Sequence, residues 1–219
     1  MSSHRVTAVV GGARGIGAAT SVAVAARGDA VVVIDRAADD PRVPYALANR
    51  HDLDRAVASA REHASDPALV QSAVANATDE AAIRAVLESA ARRHGGLDAV
   101  VVTAGVIAGG VRLWEMPAAE VEAVLDVNLA AVLAVTRACL PIMLRRPAPR
   151  DGRFVAVTST AASRGLPMLA AYGAAKAGVA GLIRGLAAEL RGTGITANAV
   201  HPGAMGAAVQ LGWSAGEKG

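Results

Sequence analysis

Short apolar runs alternate along the chain with longer segments whose apolar residues recur at helical spacing. The run Val31-Val32-Val33-Ile34 contains no polar residue, as is typical of a strand in a parallel sheet that is covered on both faces. Taken together, the apolar runs predict six buried strands, which are Val6–Val10, Ala30–Ile34, Ala68–Val74, Ala99–Val102, Arg153–Val157 and Ile195–Val200.

The intervening segments predict helices over Ile16–Arg27, Leu53–His63, Asp79–His94, Pro117–Leu144 and Leu169–Leu190. Thr78 is the candidate cap of the third helix, and Gly95-Gly96 marks its end. Because strand and helix alternate throughout, we predict an α/β fold with a doubly wound parallel sheet, the Rossmann fold. Residues 1–205 are predicted to form one domain, and the polar, Gly-rich residues 206–219 a disordered tail.

The composition narrows the class of protein. Hydrophobic residues make up 53% of the 219 residues and charged residues 19%, which excludes an intrinsically disordered chain and a coiled coil. The apolar segment Ala99–Val111 is shorter than the about 18 residues that a membrane span needs. The N-terminus runs into the first strand without the pattern of a leader peptide. We therefore predict a cytoplasmic protein with no membrane partner.

Charge and cysteine content exclude further partners. The net charge is +3, and the basic residues are scattered rather than clustered into a stripe. Aromatic side chains for stacking on bases are nearly absent, at 2% of the chain, so we predict no nucleic-acid partner. Cys139 is the single cysteine, which excludes an intrachain disulfide and a Cys-rich metal site. We predict that Cys139 is a small core residue and that no metal is bound.

A glycine-rich segment, Gly11-Gly12-Ala13-Arg14-Gly15-Ile16-Gly17, lies between the first strand and the first helix. Glycines there leave backbone N–H groups open to a phosphate at a helix N-terminus. Lys and Ser/Thr do not follow the last glycine, so the segment is not an ATP-type P-loop. A dinucleotide site is predicted, and a tight strand–helix turn is the alternative.

Asp35 ends the second strand about 20 residues after this loop, where a carboxylate accepts both ribose hydroxyls of an adenosine. The same charge repels a 2′-phosphate, so Asp35 favours NAD over NADP. Arg14 and Arg36 oppose this interpretation, because either could bind a 2′-phosphate. A solvated loop aspartate is the remaining alternative.

Tyr172 and Lys176 are four residues apart on a predicted helix and therefore share a face. A nearby ammonium lowers the pKa of a phenol, so we predict that Tyr172 is a general acid/base for an alcohol or ketone. Ser159 follows the fifth strand at the edge where open parallel sheets bind ligands. Its hydroxyl could hold the substrate oxygen. The alternatives are a surface lysine beside a packed tyrosine, and a serine that caps a turn.

The glycine loop, Asp35, Asn128, Ser159, the Tyr172/Lys176 pair and Pro202-Gly203, in this order, resemble the short-chain dehydrogenase/reductase family. The resemblance implies a catalytic set of Asn128, Ser159, Tyr172 and Lys176. Asn128 would hold a water in a proton relay, and Lys176 would also bind the nicotinamide ribose. It further implies that the cofactor is bound by Gly11, Arg14, Gly15, Ile16, Gly17, Asp35, Arg36, Asn76, Ala104, Gly105, Tyr172, Lys176, Pro202 and Gly203.

The predicted function is therefore an NAD-dependent oxidoreductase that acts on a small secondary alcohol or ketone. The alternatives are an NADPH-dependent oxoacyl or carbonyl reductase of the same family, and a truncated dinucleotide-binding protein without turnover. The long connection after Asp35, from Pro41–Leu47 through an extra helix to His63, and the segment Gly165–Tyr172 are similar to the mycofactocin-coupled branch of the family. That likeness implies a tightly held NAD that a redox peptide reoxidises in place. A lineage-specific loop is the alternative for this connection. The family resemblance also implies a homo-oligomer, a dimer or a tetramer.

The sequence departs from the family pattern at several positions. The usual Asn-Asn-Ala-Gly after the fourth strand is Val102-Thr103-Ala104-Gly105, Asn76 replaces an aspartate near the adenine, and Val10 replaces a threonine. These changes predict weaker support around the cofactor. After Pro202-Gly203, the run Ala204–Ala208 lacks the usual threonine. We also predict that the family's seventh strand and substrate-covering segment are missing, which would leave the site open to water.

Overall fold

Residues 4–203, the part of the chain that the computed structural model describes, contain a six-stranded parallel sheet. In space the order is β3-β2-β1-β4-β5-β6. This order reverses direction between β1 and β4, and ligands of open α/β sheets bind at such a switch point. The strands are β1 (Val6–Val10), β2 (Ala30–Asp35), β3 (Val70–Val74), β4 (Ala99–Val102), β5 (Gly152–Val157) and β6 (Ile195–Val200).

The predicted fold class is confirmed, since all six predicted strands are present and pair in parallel. The helices are α1 (Gly15–Ala26), α2 (Arg50–His63), α3 (Glu80–His94), α4 (Ala118–Leu125), α5 (Ala131–Leu144) and α6 (Ala170–Glu189). The tail predicted at 206–219 and the strand predicted to be missing concern positions outside the described residues.

Local capping chemistry accounts for the differences at the element ends. The predicted cap of α3, Thr78, is wrong, because the Asp79 carboxylate accepts from Ala82 N at 2.9 Å and its charge suits a helix N-terminus. The α2 helix begins earlier than predicted, with a reciprocal capping box between Asn49 and Asp52. The segment Pro67–Leu69 forms a 3₁₀ turn, which shortens the predicted third strand.

The long helix predicted over Pro117–Leu144 is divided by a π-helical turn, Asp126–Ala130, between α4 and α5. The extra residue in such a turn redirects the side chains that follow, and these turns are frequent at functional sites. By length and composition, the stretch Ala118–Leu144 is apolar enough to cross a membrane, but half of its most apolar window is buried within the domain.

Small aliphatic side chains build the core on both faces of the sheet. Along β1, Val6, Ala8 and Val10 face one cluster and Val9 the opposite one, as the alternation of a strand requires. Cys139 is fully buried, so its predicted place in the core is confirmed. Burial raises the pKa of its thiol well above the ordinary value. Phe154 of β5 is the largest fully buried side chain.

We expect Phe154→Ala to lower the free energy of unfolding by about 3–5 kcal/mol, because Ala, Val and Leu neighbours cannot refill the volume of a ring. Val74→Ala is the matched control, since Val74 is 51% exposed at the edge strand β3. Urea denaturation followed by circular dichroism measures both. Equal losses in the two variants would contradict the assigned core.

Candidate active site

The loop after β1 and the end of β4 lie so close together that their backbones are in contact. Gly11 and Gly12 both donate to the Ile34 carbonyl, at 2.8 and 3.0 Å, which turns the chain away from the sheet. Gly11 has a φ of +87°, and a Cβ on it would lie 2.6 Å from the Cα of Ala104. A Cβ on Gly17 would overlap the Gly11 carbonyl oxygen. Both positions therefore require glycine.

Thr103, which departs from the family pattern, holds these two segments together. Its hydroxyl lies 3.0 Å from the Val10 carbonyl oxygen and 2.9 Å from that of Gly11. The backbone N–H groups of Thr103 and Ala104 also donate to the Val10 carbonyl. We predicted weaker support for the glycine loop at this position. In the structure, the Thr103 hydroxyl supports the loop.

The N-terminus of α1 fits the pyrophosphate of a dinucleotide. Arg14, at the N-cap, makes no side-chain cap, and nothing lies within 4 Å of the Cβ position of Gly15. Uncapped N–H groups next to such a glycine form a cradle for a phosphate, with Ile16 and Gly17 continuing the first turn.

Asp35 lies next to this cradle at the carboxyl end of β2. Its carboxylate accepts from Ala13 N at 3.1 Å and from Ala37 N at 3.0 Å, which fixes the side chain against the loop. Asn76 is two residues beyond Val74, which pairs with Asp35 in the sheet, so it reaches the same edge. Asn76 is exposed and its side-chain oxygen accepts from Thr78 N. Asp35 and Asn76 thus lie at the same edge of the sheet.

The two arginines of the predicted cofactor site are both engaged by carboxylates. Arg14 donates to Asp52 from Nε and Nη2, at 2.8 and 2.5 Å. Arg36 donates to Asp40 at 3.1 Å. Asp52 and Asp40 come from α2 and the segment before it.

The side chains of the predicted catalytic set meet at the ends of β4 and β5. Ser159 follows β5, and its Oγ accepts from Ala161 N at 3.1 Å, so it also caps the short turn Thr160–Ala162. Tyr172 and Lys176 lie in the first turns of α6, with Nζ 5.7 Å from the centre of the phenol ring. Thr160 N donates to the Pro202 carbonyl at 3.0 Å, which brings Pro202-Gly203 beside Ser159.

Lys176 is buried, with 4% of its surface exposed, and its Nζ donates to the Val157 carbonyl at 3.1 Å. Loss of hydration disfavours the ammonium and lowers the pKa of Lys176 to about 8. Gly105 admits the lysine to this space, because a Cβ there would lie 3.3 Å from Nζ.

Asn128 reaches the same space from the π-helical turn. Its Nδ2 donates to the carbonyls of Val106 and Val124, at 2.7 and 2.9 Å. These bonds fix the amide so that Oδ1 would lie 2.8 Å from a Cβ on Gly105. Asn128 is fully buried, and Oδ1 has no hydrogen-bond partner among the described residues. A buried acceptor of this kind needs a donor, which a water or a bound ligand provides.

The predicted lowering of the Tyr172 pKa by Lys176 is wrong for this structure. Burial raises the pKa of Tyr172 above its ordinary value, and a hydrogen bond with Ser159 opposes the shift only in part. Desolvation of the buried phenol is the cause, and the Lys176 ammonium donates to the Val157 carbonyl.

Sequence reasoning missed Tyr45, which comes from the long segment between β2 and α2. Val43, Tyr45 and Leu47 pack into one cluster with Tyr172 and Ala171 of α6. The Tyr45 hydroxyl accepts from Ile107 N at 2.9 Å and so fastens this segment to the loop after β4. The signal was available, since these three residues occupy alternate positions directly after the charged run Asp39–Arg42.

A family model described as short chain dehydrogenase matches residues 5–218. The 3-oxoacyl-[acyl-carrier-protein] reductase of Synechocystis is 36% identical over 200 residues, which are 91% of this chain and 73% of that protein. The 2-dehydro-3-deoxy-L-rhamnonate dehydrogenase (NAD(+)) of Sphingomonas is 31% identical over 90% of this chain and 71% of that protein. The carveol dehydrogenase of Mycobacterium avium in complex with NAD superposes with a TM-score of 0.84 at 28% identity, over 90% of this chain and 70% of that one.

We expect Gly17→Ala to destabilise the fold, because the new methyl would overlap the Gly11 carbonyl and lie 2.6 Å from Thr103 Oγ1. Gly185→Ala is the matched control. It lies in α6 with open space around its Cβ position, and should stabilise the helix by about 0.5–1 kcal/mol. Thermal unfolding compares the two, and a Gly17→Ala variant as stable as the wild type would overturn the close approach.

A second expectation concerns pH. The pKa of Lys176 is about 8 in the folded protein against an ordinary 10.5, so between these values the unfolded chain binds more protons. Stability from this residue therefore rises with pH across that window. Lys176→Met should remove the rise, as measured by urea denaturation at several pH values. If the two proteins keep parallel pH profiles, Lys176 is not desolvated as described.

Proposed function

We propose, on the premise that this chain belongs to the short-chain dehydrogenase family, that it is an NAD-dependent oxidoreductase interconverting a small secondary alcohol and its ketone. The observation that carries the proposal is the convergence of the Lys176 ammonium and the unpartnered Asn128 Oδ1 behind the Tyr172 phenol, beside Ser159. A buried lysine and an unsatisfied amide oxygen both destabilise a core, so their occurrence at one point indicates a functional role.

A bound nicotinamide would supply or accept the hydride. The remaining steps belong to the side chains. The Ser159 hydroxyl orients the substrate oxygen, and the Tyr172 phenol gives that oxygen a proton or takes one from it. Because burial keeps the Tyr172 pKa high, the phenol is protonated near neutral pH and is ready to donate to a ketone. A water between the Lys176 Nζ and Asn128 Oδ1 would carry the proton outward.

The choice of NAD rests on Asp35 at the end of β2. The bonds from Ala13 N and Ala37 N hold its carboxylate beside the glycine loop, where it would accept the ribose hydroxyls and repel a 2′-phosphate. NAD is in the name of the Sphingomonas relative, whereas the Synechocystis relative is an oxoacyl reductase. The NADPH-dependent alternative therefore remains the competing assignment.

The segment from Asp35 to Asn49 supports a tightly held cofactor. Arg42 pairs with Asp126 at 2.6 Å, and Tyr45 bonds to Ile107 N, so the segment is tied at two points across the edge of the sheet. A cofactor under such a cover would be reoxidised in place, and we propose a redox peptide such as mycofactocin for that role. Assembly as a homo-oligomer and a cytoplasmic location are further parts of this proposal.

The experiment combines bound nucleotide and turnover. Mass spectrometry of the purified protein should find NAD, and an artificial electron acceptor should support oxidation of members of a secondary-alcohol panel. Tyr172→Phe should retain the nucleotide and lose about 10²–10⁴-fold in rate, since it removes the proton carrier alone.

Ser159→Ala should also lose activity, whereas Ser163→Ala, an exposed hydroxyl on the same turn, should retain it. Protein-bound NADP in place of NAD would favour the reductase alternative. A protein with neither nucleotide nor turnover would refute the oxidoreductase assignment.

A further inference from the structure

We propose that Asp52, on α2, is a cofactor-specificity residue that keeps Arg14 from binding the 2′-phosphate of NADP. The inference rests on the proposed function, because it assumes a nicotinamide dinucleotide at the glycine loop. It adds a second determinant to Asp35, 17 positions further along the chain and on a different element.

Arg14 stands where a 2′-phosphate would lie. The residue before it, Ala13, donates its N–H to Asp35, so the root of the arginine is beside the carboxylate that would hold the ribose. An arginine at this point binds a phosphate oxygen with its guanidinium, which is the usual device for accepting an extra phosphate next to a ribose.

The Asp52 carboxylate forms an ion pair with that guanidinium. Arg14 Nε and Nη2 lie 2.8 and 2.5 Å from the same oxygen, Asp52 Oδ2, and Nη1 lies 3.4 Å from the Ala46 carbonyl. The bond from Arg14 holds the pKa of the Asp52 carboxyl below its ordinary value, so the carboxylate is charged at neutral pH. Only 9% of the Asp52 side chain is exposed, whereas 45% of the Arg14 side chain is, so the carboxylate is the shielded partner of the pair.

The N-terminal capping box of α2 also fixes the Asp52 carboxylate of this ion pair. Asp52 Oδ2 accepts from Asn49 N at 3.0 Å, and the Asn49 side chain accepts from Asp52 N, which locks the carboxylate in the capping box. A 2′-phosphate would therefore have to replace an ion pair that is already built into a helix terminus.

Arg36 is also paired with a carboxylate, and only its buried Nη2 has no hydrogen-bond partner among the described residues. Its Nη1 donates to Asp40 at 3.1 Å, and Asp40 is itself 3% exposed and bonded to Arg42. Both arginines beside Asp35 are thus paired with carboxylates that follow β2 in the chain, Asp52 and Asp40. This arrangement disfavours NADP by removing its attractive partners, while Asp35 adds repulsion.

The test measures nucleotide binding rather than activity. Isothermal titration calorimetry of the full chain, depleted of nucleotide, gives the Kd for NAD⁺ and for NADP⁺. Asp35→Ser provides a background without the repelling carboxylate. In that background, Asp52→Asn should tighten NADP⁺ about tenfold relative to NAD⁺, because the freed guanidinium gains a charge-assisted bond to the phosphate.

Asp54→Asn is the matched control in the same background. Asp54 lies two positions after Asp52 on the same helix. Its exposed carboxylate pairs with Arg50 rather than with Arg14, so the Kd ratio should not change. Adding Arg14→Ala to Asp52→Asn should abolish the gain. Asparagine still accepts from Asn49 N, and unchanged thermal unfolding would verify that the cap survives.

The outcomes separate the two proposals. A wild type that binds neither nucleotide refutes the proposed function. A wild type that binds NAD⁺, together with an Asp52→Asn variant whose Kd ratio is unchanged, refutes only the role of Asp52. A gain that persists after Arg14→Ala, or that Asp54→Asn reproduces, would likewise overturn it.

Discussion

The close approach of the β1–α1 loop to the end of β4 is the constraint on which the rest of the site depends. Without side chains at Gly11 and Gly17, the loop contacts the backbone of Thr103 and Ala104, and the Thr103 hydroxyl secures the contact. The α1 N-terminus thereby opens at the switch point of the sheet, next to Asp35 on one side and Gly105 on the other. This contact fixes the glycine loop relative to the end of β4, and the loop in turn holds the Asp35 carboxylate through Ala13 N.

The chemistry on the β4–β5 side is maintained at a cost in stability. A buried ammonium loses hydration that one carbonyl bond does not replace, and Asn128 Oδ1 lies unpaired beside it. The π-helical turn that carries Asn128 interrupts an otherwise regular helix. Destabilising features that meet at one point, in a fold that is otherwise well packed, are typical of a site kept for function rather than for folding.

The sequence predicted the elements well where their periodicity was strong, and it singled out Ser159, Tyr172 and Lys176, which the fold brings together. The fold class followed from the alternation of strands and helices, and the pairing of Tyr172 with Lys176 from their helical spacing. Asp79 displaced Thr78 as a cap because capping depends on local geometry that a motif does not encode.

The pairing of Arg14 with Asp52, and the contact of Tyr45 with the catalytic cluster, connect distant parts of the chain. Such contacts depend on how α2 and its preceding segment fold back, which spacing alone does not determine. The direction of the Tyr172 pKa shift was missed because burial of the phenol, which spacing does not reveal, raises that pKa.

The central claim is that one edge of the sheet binds a nicotinamide dinucleotide, with the segment after β2 closing over it. Hydrogen–deuterium exchange of the backbone amides, with and without NAD⁺, tests this claim most directly. The account predicts slower exchange in peptides covering 11–17, 35–49 and 103–108, and no change in α3, which packs behind the sheet against α5. Protection that is absent from the glycine loop, or that is centred on α3, would contradict it.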